Sequence, residues 1–127
     1  MLKTGILNPS INSLLSRVRH TNTLVIADRG FPFWPQIETI DISLIDDIPT
    51  VLNVLHAIAP NFVIGKAWMA TEFRQAVSPE ILSAYKAFLP SIEFEAHIDM
   101  KRRVPSAIGL IRTADTTLYS NVILESA

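Results

Sequence analysis

Hydrophobic residues recur along this chain with two periods, one typical of helices and one of strands. Asn8-Pro9 predicts a helix start, because asparagine caps helices well and proline suits the first helical position. That helix should end near Arg19, since its apolar residues recur at i, i+3, i+4 and i+7: Ile11, Leu14, Leu15 and Val18. The same signals predict a second helix opened by Pro49-Thr50 and a third opened by Ser78-Pro79.

Apolar runs between these helices predict strands. The run from Leu24 to Ala27 is bounded by polar and turn residues, as expected for a short buried strand. Further strands are expected at residues 37–44, 61–69, 92–96, 107–111 and 121–124, and a helical turn at 99–103. In the strand at 37–44, Ile40, Ile42 and Leu44 fall on one face. Strands alternating with helices favour a layered α/β fold, here a single domain over residues 1–127.

Composition narrows the class of protein. Lys and Arg total 11 against 12 Asp and Glu, so no net positive field is available to attract nucleic acid or anionic lipid. The chain has no cysteine, no signal-peptide pattern and no apolar run of the ~18 residues that suggest a membrane span. We therefore expect a cytoplasmic protein without a membrane partner. Hydrophobic residues make up 49% of the chain, which favours burial in subunit interfaces and hence a homo-oligomer.

The candidate chemistry lies in separated polar residues, because the sequence has no glycine-rich phosphate loop, zinc pattern or nucleophile elbow. Several of these residues carry side chains that can hydrogen bond to a polar ligand: His20, Asp28, His97, Lys101, Tyr119 and Asn121. His20 and Asp28 flank the strand at 24–27, and an imidazole can act as both acid and base near neutral pH. Gly30 and Pro32 predict a turn just after Asp28, where strand ends face a ligand crevice.

Four segments, taken in order, carry a resemblance to a known family. They are G-I-L-N at residues 5–8, R-x-x-H at 17–20, T-L-V-I-A-D at 23–28 and Y-S-N-V-I-L at 119–124. Together they resemble the family of D-ribose pyranase and fucose mutarotase over nearly the whole chain. The resemblance implies a three-layer α/β/α sandwich with a mostly parallel or mixed sheet. It also implies an isomerase that interconverts ring forms or anomers of a free monosaccharide without a cofactor.

The resemblance further implies roles for the candidate residues. His20 lies where the family has its proton donor. Residues that bind the sugar in the family match Asp28, His97, Tyr119 and Asn121, and in some relatives also Lys101. Family members form ring-like oligomers with sites between neighbouring subunits, so a decamer of stacked rings is expected. Whether Asp28 orients the imidazole of His20 or binds a sugar hydroxyl stays open at this point.

The sequence departs from the family pattern directly after Asp28, and it allows two other hypotheses about function. Arg29 and the Phe33-Trp34-Pro35 loop depart from the pattern. Arg29 is therefore predicted to shape the choice of sugar or to point into an interface. Trp34 is predicted either to stack on a sugar or to pack against a neighbouring element or subunit. The alternative function is a non-catalytic monosaccharide-binding or sugar-transport accessory protein. A third hypothesis is a metal site with four candidate ligands: His20, Asp28, His97 and Asp99.

Overall fold

A six-stranded mixed sheet runs through the centre of the computed structural model, which describes residues 1–127. Its strands are β1 (Thr23–Ala27), β2 (Glu38–Asp41), β3 (Ile64–Ala70), β4 (Ile92–Glu95), β5 (Gly109–Arg112) and β6 (Val122–Ser126). They lie in the order β2-β5-β1-β6-β3-β4. β6 runs antiparallel to both of its neighbours, and every other pairing is parallel. The C-terminal ends of the parallel strands therefore lie at the same edge of the sheet as the start of β6.

Five α-helices connect these strands: α1 (Pro9–Arg17), α2 (Val51–Ile58), α3 (Thr71–Ala76), α4 (Pro79–Lys86) and α5 (His97–Arg103). The predicted starts of α1 and α4 are confirmed, because the side chains of Asn8 and Ser78 accept hydrogen bonds from backbone N–H groups in the first turn of each helix. Thr50 caps α2 in the same way. None of the helices combines the length and apolar character that a membrane crossing requires.

Both faces of the sheet are buried. Leu24, Val25 and Ile26 of β1 are fully buried, although successive strand side chains point to opposite faces. Helices therefore cover the sheet on both sides, as expected for a mostly parallel sheet. α1 packs closely on β5 at Gly109, where an added Cβ atom would lie 2.7 Å from Leu14 Cδ1, so a larger residue would require the Leu14 side chain to move. The predicted three-layer α/β/α class with a mixed sheet is confirmed.

Three segments differ from the sequence-based prediction. β2 ends at Asp41, because the Asp41 carboxylate accepts hydrogen bonds from the backbone and hydroxyl of Ser43 and turns the chain. Leu44 is consequently 76% exposed instead of sharing a buried face with Ile40. β3 begins at residue 64 rather than 61, since a 3-10 turn occupies 59–61. α3 has no counterpart in the prediction, because in this six-residue helix only Phe73 is buried and no apolar period exists.

Candidate active site

A cavity of about 240 Å³ opens where β1 ends, β6 starts and α5 begins. Its lining combines a carboxylate, an imidazole, a phenol and an amide with apolar side chains: Asp28, Gly30, Phe31, Pro32, His97, Leu118, Tyr119 and Asn121. Asp28 directly follows β1, His97 is the first residue of α5, and Asn121 directly precedes β6. The structure thus brings together four of the predicted sugar-binding residues, which are far apart in the sequence.

Asp28 is held by hydrogen bonds from both sides of the cavity. The side-chain oxygen of Asn121 accepts a hydrogen bond from the Asp28 backbone N–H at 2.7 Å, and the Asn121 amide nitrogen donates to Asp28 Oδ2 at 3.1 Å. The backbone N–H of Gly30 donates to Asp28 Oδ1 at 2.9 Å. Burial raises the pKa of Asp28 above its ordinary value, while the hydrogen bonds from Gly30 and Asn121 oppose that rise. The carboxylate is therefore a fixed acceptor at the cavity wall.

His97 presents an unpartnered nitrogen. Its backbone N–H donates to the carboxylate of Glu72 at 3.0 and 3.2 Å, which fixes the start of α5. Its ring stands edge-on to Phe31 and Tyr119, with centroids 5.9 and 5.0 Å away. Burial, reinforced by the charge of Lys101, lowers the pKa of His97 and so favours the neutral imidazole. Because Nε2 is buried without a hydrogen-bond partner, it is available to a ligand hydroxyl.

The backbone of Tyr119 is left-handed, with φ of +61°, which is uncommon for a large side chain. This conformation holds the ring against His97 at the cavity mouth, where Tyr119 remains 36% exposed. Strained backbone of this kind is concentrated at ligand sites, because the surrounding structure must maintain it. The Tyr119 phenol is thus a further polar group at the cavity mouth, beside the imidazole of His97.

Lys101 lies beside this cavity rather than in it. It lines an adjoining groove of about 440 Å³, together with Pro32, Phe33, Trp34, Ile98, Arg102 and Pro105. Pro32 lines both spaces, so the groove continues from the cavity. Trp34 packs beside Phe31, with ring centroids 6.1 Å apart, and does not line the cavity. Of the two interpretations of Trp34, packing against the protein is the one the structure supports.

His20 is not part of the cavity of its own chain. It is exposed in the turn before β1, whereas Asp28 follows the far end of this strand, and a five-residue strand spans about 17 Å. The next residue, Thr21, donates its N–H to the carbonyl of Ser126 at 2.8 Å, so this turn lies at the end of β6, opposite Asn121. Of the two roles left open for Asp28, orienting the imidazole of His20 is therefore excluded within one chain.

Two other expectations concern Arg29 and a metal site. The side chain of Arg29 is 56% exposed and pairs with Asp46 at 2.5 Å, so Arg29 does not line the cavity of its own chain, and its influence on the choice of sugar or its place in an interface stays a prediction. The hypothetical metal site is not formed, because no three potential His, Asp or Glu ligands come together. His20 lies at the opposite end of β1, and Asp99 pairs with Arg102 at 3.1 Å.

The structure also adds residues that the sequence did not single out. Leu118 lines the cavity and Glu72 holds the start of α5, yet Leu118 is an isolated leucine in a polar loop and Glu72 lies on the unpredicted helix α3. Phe31 lies in the turn after Asp28 and is buried against His97. No local pattern in the sequence distinguishes these residues from ordinary surface or loop positions.

Comparison with known proteins agrees with this architecture. Residues 1–127 match the RbsD / FucU transport protein family. The D-ribose pyranase of Geobacillus thermodenitrificans is 36% identical over 128 residues, covering 99% of this chain and 96% of the relative. The D-ribose pyranase of Latilactobacillus sakei is 37% identical, covering 99% and 97%.

Solved structures show the same fold. Bacillus subtilis RbsD complexed with D-ribose superposes with a TM-score of 0.91 and 30% sequence identity, covering 100% of this chain and 98% of that chain. The fucose mutarotase of Streptococcus pneumoniae in complex with L-fucose has a TM-score of 0.82 at 18% identity, covering 99% and 98%. At that identity the likeness concerns the fold alone.

Proposed function

This chain belongs to the RbsD / FucU transport protein family, and from that premise we propose that it interconverts the ring forms or anomers of a free monosaccharide without a cofactor. The single observation that carries the proposal is the cavity between Asp28 and His97. A fixed carboxylate and an unpartnered imidazole nitrogen both lie there, among aromatic and apolar side chains. Such a site offers both an acceptor for sugar hydroxyls and apolar surface for the ring carbons.

The proposed reaction needs only proton transfers. A proton is delivered to the ring oxygen of the cyclic hemiacetal while another leaves the anomeric hydroxyl, and the bond between the anomeric carbon and the ring oxygen breaks. The product is the open-chain aldehyde. Rotation and addition of a hydroxyl to the carbonyl, with the protons moving in reverse, give another anomer or ring size. Positioned general acid–base groups typically accelerate such steps ~10² to 10⁴-fold.

In this proposal the cavity residues bind the sugar. Asp28 accepts hydrogen bonds from one or two hydroxyls. Asn121 contributes the amide hydrogen that its contact with Asp28 leaves free. His97 Nε2 and the Tyr119 phenol bind further hydroxyls. Lys101, in the adjoining groove, reaches the part of the sugar nearest Pro32.

The proton donor is proposed to be His20 of a neighbouring subunit, because His20 of the same chain lies at the other end of β1. Two features support this. His20 is exposed on a turn that another copy can reach, and apolar side chains are exposed in both the cavity and the groove, with Leu118 in the cavity at 71% and Ile98 in the groove at 62%. Exposed apolar groups clustered in this way are typical of a surface covered by a partner. We therefore propose a homo-oligomer, specifically a decamer, in which each site is completed by a neighbouring subunit. The proposed location of the protein is the cytoplasm.

The substrate is the finer part of the proposal. The relatives that are 36% and 37% identical are D-ribose pyranases, and the solved relative that is 30% identical binds D-ribose. D-Ribose is therefore proposed as the first substrate to test, with fucose and other pentoses and deoxyhexoses next.

Exchange between anomeric NMR signals tests the function directly. Saturating the signal of one ring form should lower the signal of another much faster with the protein than without it, for at least one sugar of the panel. Protein inactivated by heat serves as the control for uncatalysed exchange. Binding of a sugar without faster exchange would instead identify a non-catalytic sugar-binding protein, and neither binding nor exchange for any sugar would contradict both functions.

A further inference from the structure

We propose that Arg112 is a positioning residue that holds the Asp28 turn in the shape required for sugar binding. Arg112 is the last residue of β5, the strand beside β1, and its side chain is half-buried behind the turn. It lines neither the cavity nor the adjoining groove. Its effect on turnover rests on the proposed function, whereas its effect on the turn does not.

The guanidinium gathers three backbone carbonyls of the turn. Nη1 donates to the carbonyl of Asp28 at 3.3 Å and to that of Arg29 at 3.4 Å, and Nη2 donates to the carbonyl of Pro32 at 3.2 Å. These distances are long for single hydrogen bonds, so each is individually modest. Together the three hydrogen bonds restrain the turn, because one rigid guanidinium holds both ends of this five-residue segment.

Arg112 works with its neighbours along the chain. The backbone and hydroxyl of Thr113 both donate to the carbonyl of Ala27, at 2.9 and 2.8 Å, and the carbonyl of Asp115 accepts the N–H of Arg29 at 3.1 Å. The polar groups of the turn are thus divided. The carbonyls of Asp28, Arg29 and Pro32 accept hydrogen bonds from Arg112, while the N–H of Gly30 donates to the Asp28 carboxylate. If the carbonyls were released, the turn would rotate and the N–H that orients the carboxylate would move with it.

This geometry requires arginine rather than a positive charge alone. A planar guanidinium directs several N–H groups in fixed directions, whereas a lysine ammonium is a compact point charge on a flexible stem. Arg112 forms no salt bridge, although the carboxylate of Asp41, its partner in the register of β2, lies near enough to feel its charge. The hydrogen bonds of its side chain are therefore all made to the turn.

The test compares Arg112→Lys and Arg112→Met with Arg103→Lys. Arg103 is a matched control, because its guanidinium is likewise held by more than one hydrogen bond, two to Glu95 against the three of Arg112, and stacks over Trp68 away from the cavity. For the sugar that the parent protein exchanges, Arg112→Lys should raise KM about 10-fold and change kcat less than about 3-fold, because binding through Asp28 is impaired while the proton donor is not. Arg103→Lys should leave both values unchanged.

Hydrogen exchange of the Arg29 and Gly30 amides separates this inference from the proposed function. Both amides should exchange faster in Arg112→Lys than in Arg103→Lys, whether or not the protein turns over a sugar. If the parent protein exchanges no sugar, the proposed function fails and these amides alone decide the role of Arg112. An Arg112→Lys variant with parental KM and parental amide exchange, or one that only lowers stability, would overturn the inference. If Arg112→Met does not fold, Arg112→Lys decides.

Discussion

Two inactive variants, mixed in one oligomer, should restore activity if His20 acts on the cavity of a neighbouring subunit. His20→Ala removes the proposed donor and leaves the cavity intact. Asp28→Asn removes the carboxylate charge and leaves His20 intact. Within one chain these residues flank a strand of about 17 Å, far beyond the ~3 Å reach of a hydrogen bond. One chain therefore cannot supply both groups to one site.

The expected recovery follows from random assembly. In an equal mixture, half of the donors and half of the cavities are intact, so roughly a quarter of the sites combine an intact donor with an intact cavity. Exchange of the anomeric NMR signals should then reach roughly a quarter of the parental rate at equal protein concentration. Each variant alone should be slower than the parent by about 10² or more, if each removes an essential group.

A second mixture provides the matched control. Asp28 and His97 line one cavity of one chain, so mixing Asp28→Asn with His97→Ala leaves every cavity defective and should restore nothing. Native mass spectrometry must show mixed oligomers in both experiments. If mixed oligomers form and the first pair stays inactive, or if a monodisperse monomer in light scattering has full activity, the shared site is refuted.

Three further predictions follow from single side chains. His20→Ala should slow ring-form exchange by roughly 10²-fold or more. The circular dichroism spectrum and the oligomer size should stay parental, because the side chain is exposed and is not part of the hydrophobic core. Parental exchange rates for every sugar would show that His20 is not the proton donor. Asn121→Ala should lower the free energy of unfolding by about 1–3 kcal/mol in urea titrations, because a buried side chain with two contacts to Asp28 is lost; a change below ~0.5 kcal/mol would contradict that role. Because the pKa of His97 is lowered in the folded protein, the unfolded ring takes up a proton near pH ~6.5 and the folded ring only at lower pH. The stability that His97 contributes is therefore complete above pH ~6.5 and is lost as the pH falls through the folded pKa. Urea midpoints should therefore fall less between pH 7 and 5 in His97→Phe than in the parent, and an identical pH profile would exclude this linkage.

Local structure was predictable where the signal is local. The cap at Asn8 and the apolar face of α1 depend on neighbouring residues, and the sequence contains both. β1 was predicted for the same reason, since its buried residues form one uninterrupted run. The predicted β2 was too long, because apolar and polar residues alternate as far as Leu44. The hydrogen bonds from Ser43 to Asp41 nevertheless end the strand at Asp41.

The site was predictable only through the family resemblance. Asp28 and Asn121 contact each other across 93 residues, and no pattern in either segment reports the other. His20 and Asp28 are close in the sequence but far apart in the structure, because they lie at opposite ends of β1. Glu72 and Arg112 act through backbone groups, which every residue has, so no sequence pattern can reveal such partners.

The position of β6 makes the cavity a product of the complete fold. β6 pairs with β1 on one side and β3 on the other, so residues near both ends of this sequence must be in register before Asn121 meets Asp28. Contacts of such long sequence separation form late, after the costs of closing long loops have been met. A partly folded chain thus has no site, and a sugar binds the native state alone. By mass action, a sugar at about 100 times its Kd stabilises the fold by about 2.7 kcal/mol, so the melting temperature itself ranks candidate sugars without any assay of turnover.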